Sequence, residues 1–293
     1  MATFFGTNGV DNHIGTPAAD NIFGAGGNDI LSGLAGNDNI YGDSGNDSLN
    51  GGLGENFLYG GEGNDTLNAF DPGIDDLFGG IGDDVYIVST TGDNVVEGLN
   101  QGIDTVWSSV PYPLLDNNVE NLLLTGVGAV SGTGNALNNR ITGNSASNNL
   151  IGLGGNDTLS GKGGSDILTG GLGSDIFDFD TALPGAGVDT INDFVVGTDK
   201  IFLSKAVFSA LETVPLAGNV LLASDFASIN VAAALEVAVA GNNPNEIVYN
   251  RLTGSLFYNA NDAAAGFGAG GGKFATIVGS PDSLSNTDFT AVV

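Results

Sequence analysis

The sequence has no cysteine, one histidine and only six lysine and arginine residues among 293. Without cysteine there is no disulfide framework and no thiolate metal site, and Zn²⁺, which asks for Cys or His ligands, is disfavoured. Because 34 acidic residues leave a net charge of −28, we expect no binding to nucleic acid or to anionic membrane surfaces. No apolar run reaches the roughly 20 residues of a spanning helix, so we also expect no membrane insertion. The large negative net charge favours a cationic partner.

Glycine is abundant instead, with 49 copies, which is too many for an ordinary globular core along most of the chain. A nine-residue phrase repeats in register over residues 6–68, and a second array in the same register covers residues 134–178. Acidic, glycine-rich tracts are also typical of disorder, but disorder does not require an apolar residue at every ninth position. That period is kept by Ile22, Leu31, Ile40, Leu49, Leu58 and Leu67. The period indicates a packed, stacked repeat.

Each nine-residue unit divides into a six-residue turn and a three-residue strand, so two units make one coil. Ile22, Ile40 and Leu58 would then line one wall of the interior, and Leu31, Leu49 and Leu67 the other. Neighbouring coils lie about 4.8 Å apart, which brings the aspartates at position 6 of the units close together along each edge. Such charges need neutralisation, and carboxylate and carbonyl oxygens are the ligands of Ca²⁺. The predicted columns are Asp29, Asp47 and Asp65 on one edge and Asp20 and Asp38 on the other.

The clearest units, GAGGNDILS at residues 24–32 and GGEGNDTLN at residues 60–68, resemble the RTX family of hemolysin-type calcium-binding repeats, whose consensus is G-G-x-G-x-D-x-U-x. The resemblance implies an all-β fold: a parallel β-roll, which is a right-handed β-solenoid, in two arrays with a β-rich C-terminal cap. It implies several Ca²⁺ ions as cofactors. It also divides the chain into a first array (1–78), bridging coils (79–133), a second array (134–178) and a cap with a secretion-signal region (179–293).

In that family each calcium lies between successive turns on one edge and takes backbone carbonyls and the aspartates of both turns. Carried onto this sequence, the resemblance assigns calcium to Thr16, Ala18, Asp20, Ala25, Gly27, Asp29, Gly33, Ala35, Asp38, Gly42, Asp43, Ser44, Gly45, Asp47, Gly60, Gly61, Glu62, Gly63, Asp65, Gly79, Ile81, Asp84, Leu153, Gly155, Asp157, Gly161, Gly163, Asp166, Gly170, Leu172 and Asp175. Asn56, Asn139 and Asn148 replace the expected aspartate, so we expect their turns to bind calcium weakly or to stack without it.

Three functional hypotheses follow. The first is a secreted, extracellular or cell-surface bacterial protein that leaves by the type I secretion machinery, folds on external Ca²⁺, and contacts a cell surface or polysaccharide. The second is an adhesive or ice-binding protein, suggested by the recurrence of Asn28, Asn37, Asn46 and Asn64. The third is the repeat-bearing part of a secreted hydrolase or epimerase. We expect no catalytic activity, because neither H-E-x-x-H nor G-x-S-x-G occurs and His13 is interpreted as a packing residue.

Overall fold

The computed structural model describes residues 1–181, 187–211, 213–214, 220–233, 245–260, 267, 271–279 and 281–292. The chain divides into two compact units, Met1–Gly126 and Val127–Val293. Nearly all regular structure in both units is β, and most strand pairs are parallel. Among the described residues, no helix has the length and apolar character needed to cross a membrane.

The first unit is a β-solenoid in which the chain alternates between two parallel sheets, one strand of each per coil. The first sheet contains β1 (Thr3–Phe5), β3 (Asn21–Phe23), β5 (Asn39–Ser44), β7 (Phe57–Glu62), β9 (Asp76–Ile81) and β11 (Asn94–Val96), in that order. The second sheet contains β2 (Asn12–Ile14), β4 (Ile30–Ser32), β6 (Ser48–Asn50), β8 (Thr66–Ala69), β10 (Val85–Val88), β12 (Thr105–Ser108) and β13 (Asn121–Leu124).

The interior of this solenoid consists of two apolar ladders, one from each sheet. Ile22, Ile40 and Leu58 are register partners in the first sheet, and Leu31, Leu49 and Leu67 in the second. All six side chains are buried. The nine-residue period therefore predicts the walls correctly, because one residue in each short strand points inward and residues 18 apart lie in the same row.

An aromatic ladder lies on the outer side of the first sheet. Phe5, Phe23, Tyr41, Tyr59 and Phe78 stack face to face, with successive ring centroids 5.2, 4.9, 4.7 and 4.7 Å apart. These distances are close to the spacing of neighbouring strands, so the backbone register fixes the stacking. Phe23, Tyr41 and Tyr59 have a neighbouring ring on each face, whereas Phe5 at the end of the ladder is exposed.

Beyond the regular repeats the coils change length while the parallel pairing continues. Equivalent turn residues are 18 apart up to Asp65, then 19 apart at Asp84, 20 apart at Asp104 and 16 apart at Glu120. Strands β10, β12 and β13 nevertheless pair in register. The inner position of β10 is occupied by Tyr86, where the preceding strands carry leucine. This larger residue becomes important at the metal centre.

The second unit also forms parallel coils and ends in antiparallel strands. One sheet contains β14 (Ser131–Thr133), β16 (Asn149–Gly154), β18 (Ile167–Leu172), β20 (Asp189–Ile191), β27 (Gly272–Ile277), β26 (Ser255–Tyr258), β25 (Ile247–Asn250) and β24 (Phe226–Ile229). The other contains β15 (Arg140–Thr142), β17 (Thr158–Ser160), β19 (Ile176–Phe179), β21 (Lys200–Ser204), β28 (Phe289–Val292), β23 (Val220–Leu221) and β22 (Thr213–Val214). Two 3₁₀ turns, Ala223–Asp225 and Asn286–Asp288, precede β24 and β28.

Candidate metal centre

A column of buried aspartates runs along one edge of the first unit. The backbone N–H of each aspartate except the last donates to Oδ1 of the aspartate one coil further on, at 2.7–2.8 Å, and the last donates to Glu120 Oε2 at 2.8 Å. The column comprises Asp29, Asp47, Asp65, Asp84 and Asp104. Asp20, Asp38, Asn56 and Asp75 form the equivalent column on the opposite edge. The regular turn places every position-6 side chain under the amide of the turn before it.

The second carboxylate oxygen of these residues is buried without a hydrogen-bond donor. Within the described part of the chain, this holds for Oδ2 of Asp29, Asp38, Asp47, Asp65, Asp75, Asp84, Asp104, Asp157 and Asp166. A buried carboxylate oxygen without a partner is costly, and a single such atom calls for an explanation. A repeated row of them indicates a cation as the missing partner.

Backbone carbonyl oxygens converge on the same points. A Cβ added at Gly24 would clash with Asp29 Oδ2 and would lie 2.7 Å from the Gly42 carbonyl oxygen. The same clash with the aspartate five residues on recurs at Gly42 and Gly60, again beside the carbonyl of the next position-1 glycine. Position 1 must therefore be glycine, because carboxylate and carbonyl oxygens fill the space of a side chain. Hard oxygen ligands of this kind suit Ca²⁺.

The structure brings the predicted turns together in the predicted pairs on the first edge. Ser44 Oγ donates to the Ala25 carbonyl at 3.3 Å, and the Gly27 N–H donates to the Ser44 carbonyl at 2.9 Å. Asp43 and Ser44 are register partners of Gly61 and Glu62 in the next coil, and Gly63 donates to the Ile81 carbonyl. A carbonyl that accepts one such bond keeps a second lone pair, so these groups remain available to a cation.

The other predicted turns are juxtaposed in the same way. On the opposite edge, Asp20 Oδ2 and the Gly33 carbonyl oxygen both lie beside Gly15, and the Thr16 N–H donates to Asp20 Oδ2 at 2.6 Å. In the second unit, the Asp157 N–H donates to Asp175 Oδ1 at 2.9 Å. Among the remaining predicted residues of this unit, Gly155, Gly161, Gly163 and Asp166 lie in turns, Leu153 lies in β16, and Gly170 and Leu172 lie in β18. In the first unit Ala18, Ala35 and Gly45 lie in turns, and Gly79 lies in β9.

The turns that carry asparagine in place of aspartate show how the side-chain hydrogen bonds differ when the charge is absent. Asn56 Oδ1 accepts from the Asp38 N–H at 3.0 Å, so it replaces the aspartate in the column. Its Nδ2 donates to the Gly52 carbonyl at 3.1 Å, and Asn148 Nδ2 likewise donates to the Val130 carbonyl at 3.0 Å. The amide nitrogen therefore takes a carbonyl oxygen as partner, whereas the corresponding oxygen of most column aspartates has no donor within the described part of the chain. Asp20, which accepts from Thr16, is the exception on the opposite edge.

Burial also shifts the titration of the column. Desolvation raises the pKa of Asp65 and Asp104 to about 7 and that of Asp84 to about 8, although the backbone hydrogen bond to each carboxylate acts in the opposite direction. Desolvation likewise raises the pKa of Asp157 to about 7. Residues 1–126 contain no lysine or arginine, so the first unit has no such side chain of its own to neutralise its columns.

Sequence reasoning missed two carboxylates that extend the columns into the C-terminal region. The Asp166 N–H donates to Asp189 Oδ1, and the Asp175 N–H donates to Asp199 Oδ1, both at 3.0 Å. Asp189 follows Gly185 and Gly187, which match positions 2 and 4 of the repeat phrase without its first glycine, whereas Asp199 is preceded only by Gly197. Both aspartates also stand at or directly before the start of a strand, in D-T-I and D-K-I, as in the last part of the repeat phrase.

Two other sequence features have structural roles. The Asn28 and Asn46 side-chain oxygens accept backbone N–H groups of Asn46 and Asn64 in the next coil, each at 3.0 Å, so these oxygens are used within the solenoid. The ring of His13 stacks on Phe4 with centroids 3.7 Å apart. His13 thus packs against an aromatic neighbour, as the sequence suggested.

Comparison with known families agrees with this geometry. A family model for the RTX calcium-binding nonapeptide repeat matches the chain four times, at residues 5–40, 32–67, 133–168 and 142–177. No curated protein matches the chain significantly. The matched residues contain most of the buried aspartate columns, whose unpaired oxygens fit several Ca²⁺ ions. Residues 5–67 and 133–177 are therefore RTX calcium-binding nonapeptide repeats, and the chain is a calcium-binding, RTX-type repeat protein with a β-solenoid fold.

Proposed function

We propose that this protein is a secreted bacterial structural module whose folding is switched on by extracellular Ca²⁺. The contrast between aspartate and asparagine turns carries the proposal. Most aspartate turns leave a buried carboxylate oxygen without a hydrogen-bond donor in the described part of the chain, whereas the Asn56 amide donates to a carbonyl of its own turn. Without the metal, stacked carboxylates oppose compaction; with it, binding free energy contributes directly to folding.

The carboxylates that face each other along one edge belong to different coils, so a bound ion bridges neighbouring coils. Because such a pair of turns comes together only when the coils stack, the sites do not exist in the unfolded chain. Calcium at roughly 10⁻⁴ to 10⁻³ M, the affinity range of extracellular modules, then separates an unfolded state at low calcium from a folded state outside the cell.

The test is calorimetric titration of metal-stripped protein with Ca²⁺, with circular dichroism recorded on the same samples. We expect the chain to gain most of its β signal only as calcium binds. Mg²⁺ at the same concentration is the matched control, because its strict octahedral geometry suits these turns poorly. Full β structure in chelator, unchanged on adding calcium, would contradict the proposal.

Export by a type I machinery is the second element of the proposal, and it is supported by the RTX resemblance, which assigns a secretion-signal region to residues 179–293. Strand β28, close to the end of the chain, pairs with β21 in the second unit. We expect a fusion carrying residues 179–293 to leave cells that express a type I exporter, and a fusion carrying residues 1–126 to stay inside. Equal retention of both fusions would refute the export signal while leaving the calcium switch intact.

We propose no catalytic activity for the chain and a surface or polysaccharide as its extracellular contact. The repeat family is structural and calcium-binding rather than typically catalytic. Binding of the calcium-loaded protein to whole cells and to acidic and neutral polysaccharides, compared with the metal-stripped protein, tests this contact. Binding that is identical in both states would separate it from the calcium-dependent fold.

A further inference from the structure

Three buried carboxylates meet just beyond the first matched repeats. Asp84, Glu97 and Asp104 are each at most 6 % exposed, and one oxygen from each lies within 4.8 Å of the others. Glu97 and Asp104 belong to none of the matched repeats, which end at residue 67 in this unit. A cluster of acidic residues does not by itself indicate a cation site. The hydrogen-bond partners of each carboxylate oxygen show whether a cation is needed there.

Oδ1 of Asp84 and Oδ1 of Asp104 accept backbone N–H groups of the preceding coil at 2.7 and 2.8 Å. Oδ2 of both residues is buried and has no hydrogen-bond donor within the described part of the chain. One oxygen of Asp84 and one of Asp104 lie within 4.8 Å of each other and of Glu97, and the unpaired Asp84 Oδ2 lies together with Glu97 Oε1 beside Gly79. Since residues 1–126 include no lysine or arginine, no such side chain in this unit can neutralise them.

The backbone register explains how Glu97 reaches this space. Strand β11 pairs with β9 so that Val96 is opposite Phe78, which places Glu97 opposite Gly79. Gly79 is the position-1 residue of its turn, and a Cβ added there would clash with Asp84 Oδ2 and Glu97 Oε1. In the repeats, position 1 is the glycine that lines the oxygen cluster; in this coil the equivalent position carries a carboxylate.

Two neighbours hold the Glu97 side chain in place. The Tyr86 hydroxyl donates to Glu97 Oε1, and the Gly98 N–H donates to Oε2 at 3.0 Å. Tyr86 occupies the inner position that is leucine in the preceding strands, so its hydroxyl reaches the cluster from the core. In this coil, tyrosine therefore stands where the preceding strands have leucine, and glutamate stands where the repeats have the position-1 glycine.

From this arrangement we propose that Asp84, Glu97 and Asp104 form a divalent-cation site of the calcium class, distinct in composition from the repeat sites. It has three carboxylates converging on one ion, and Tyr86 acts as a positioning residue for Glu97. Higher ligand charge strengthens calcium binding, so this site fills at lower calcium concentration than the repeat sites. The inference does not depend on export, although it shares calcium as the ion.

The test counts calcium bound per folded chain by equilibrium dialysis, for wild type, Glu97→Gln and Glu55→Gln. Glu97→Gln keeps the size and the Oε1 acceptor for Tyr86 but removes the charge. Glu55 is exposed in the same unit, so its substitution makes the same charge change away from the cluster. We expect Glu97→Gln to lose one ion and the earliest phase of the titration, and Glu55→Gln to match wild type.

An unchanged ion count in Glu97→Gln would overturn this site alone, whereas a wild type that binds no calcium would overturn the proposed function. If Glu97→Gln does not fold in calcium, tyrosine-sensitised Tb³⁺ luminescence replaces it as the readout. An ion at the site lies beside the Tyr86 hydroxyl, so Tyr86→Phe loses sensitised emission, whereas Tyr41→Phe on the outer ladder keeps it. Equal emission from both variants would contradict the site.

Discussion

The backbone N–H of Asp47 donates to Oδ1 of Asp65 at 2.7 Å, so the carboxylate of one coil holds the turn of the coil before it. Asp65 therefore has two separable roles, as hydrogen-bond acceptor and as charged ligand. We expect Asp65→Asn to keep the acceptor, fold in calcium and bind one ion more weakly. Asp65→Ala removes both roles and costs a further 1–3 kcal/mol, about the penalty of an unsatisfied buried donor. Calorimetry with chemical unfolding in calcium separates the two; equal stability of both variants would contradict the hydrogen-bond role.

The converse substitution is Asn56→Asp, which restores the aspartate that the column lacks. The side-chain oxygen keeps its bond from the Asp38 N–H, while the amide nitrogen that occupies the Gly52 carbonyl is removed. We expect one additional calcium ion per chain and a higher melting temperature at saturating calcium. In chelator the same variant is less stable than wild type, because a buried charge has been added without a counterion. An unchanged ion count would show that the glycine and carbonyl frame alone does not make a site.

Without metal, the stability of the folded protein is expected to decrease as pH rises. Burial raises the pKa of Asp65 to about 7 and of Asp84 to about 8, from an ordinary value of 3.8. A carboxyl whose folded pKa is raised stabilises the fold below the unfolded pKa, and this contribution is lost as pH rises through the folded pKa. Metal-free protein is therefore more stable at pH 5 than at pH 8, whereas calcium binding weakens towards pH 5 through proton competition.

The β signal in circular dichroism, recorded at pH 5 and pH 8 with and without calcium, measures both dependences, because it also reports on a metal-free chain that is mostly unfolded at pH 8. Asp65→Asn is the matched variant, because it removes one of the raised carboxyls and flattens the metal-free slope. A metal-free protein that is more stable at pH 8 than at pH 5 would show that the columns do not titrate in the folded state.

The turn glycines differ in how much an added side chain would destabilise the protein. Gly63 has φ of +127°, and an added Cβ would clash with the Gly45 carbonyl oxygen. Gly63→Ala therefore destabilises the protein by roughly 2–4 kcal/mol, the range typical of backbone strain combined with overpacking. Gly26→Ala is the control, because its Cβ would meet only ordinary contacts at 3.4 Å and beyond. Equal melting temperatures of the two variants in calcium would contradict the close approach of successive turns.

The regular part of the fold was predictable from the sequence because each coil repeats the same contacts. An apolar residue every ninth position defines the two walls, and Ile40 or Leu49 needs only its neighbours 18 residues away to be placed. The aspartate columns follow from the same register. In this part of the chain the sequence period gives the structural register directly, because the glycine turns have one length and one conformation.

Where the turn length changes, the sequence loses this information. Glu97 lies one 18-residue period after Gly79, but the coils from Asp65 to Asp84 and from Asp84 to Asp104 have 19 and 20 residues, so the local sequence does not reveal which carboxylates these turns bring together. Asp189 and Asp199 join the columns 23 and 24 residues after Asp166 and Asp175, so they also lie outside the 18-residue period. Loop length sets strand register, and register decides which carboxylates meet.

The aromatic ladder has a consequence for motion. Tyr41 has a parallel ring on each face, Phe23 at 4.9 Å and Tyr59 at 4.7 Å, so its ring cannot turn over while both neighbours stay in place. Since the backbone spacing holds those neighbours, a ring flip requires adjacent coils to move apart for a moment. Slow flips, visible as separate NMR signals for the two sides of the ring, then report how often the solenoid opens between coils. The flip rate of these rings therefore measures how often neighbouring coils separate, and it does so at a surface away from the metal sites.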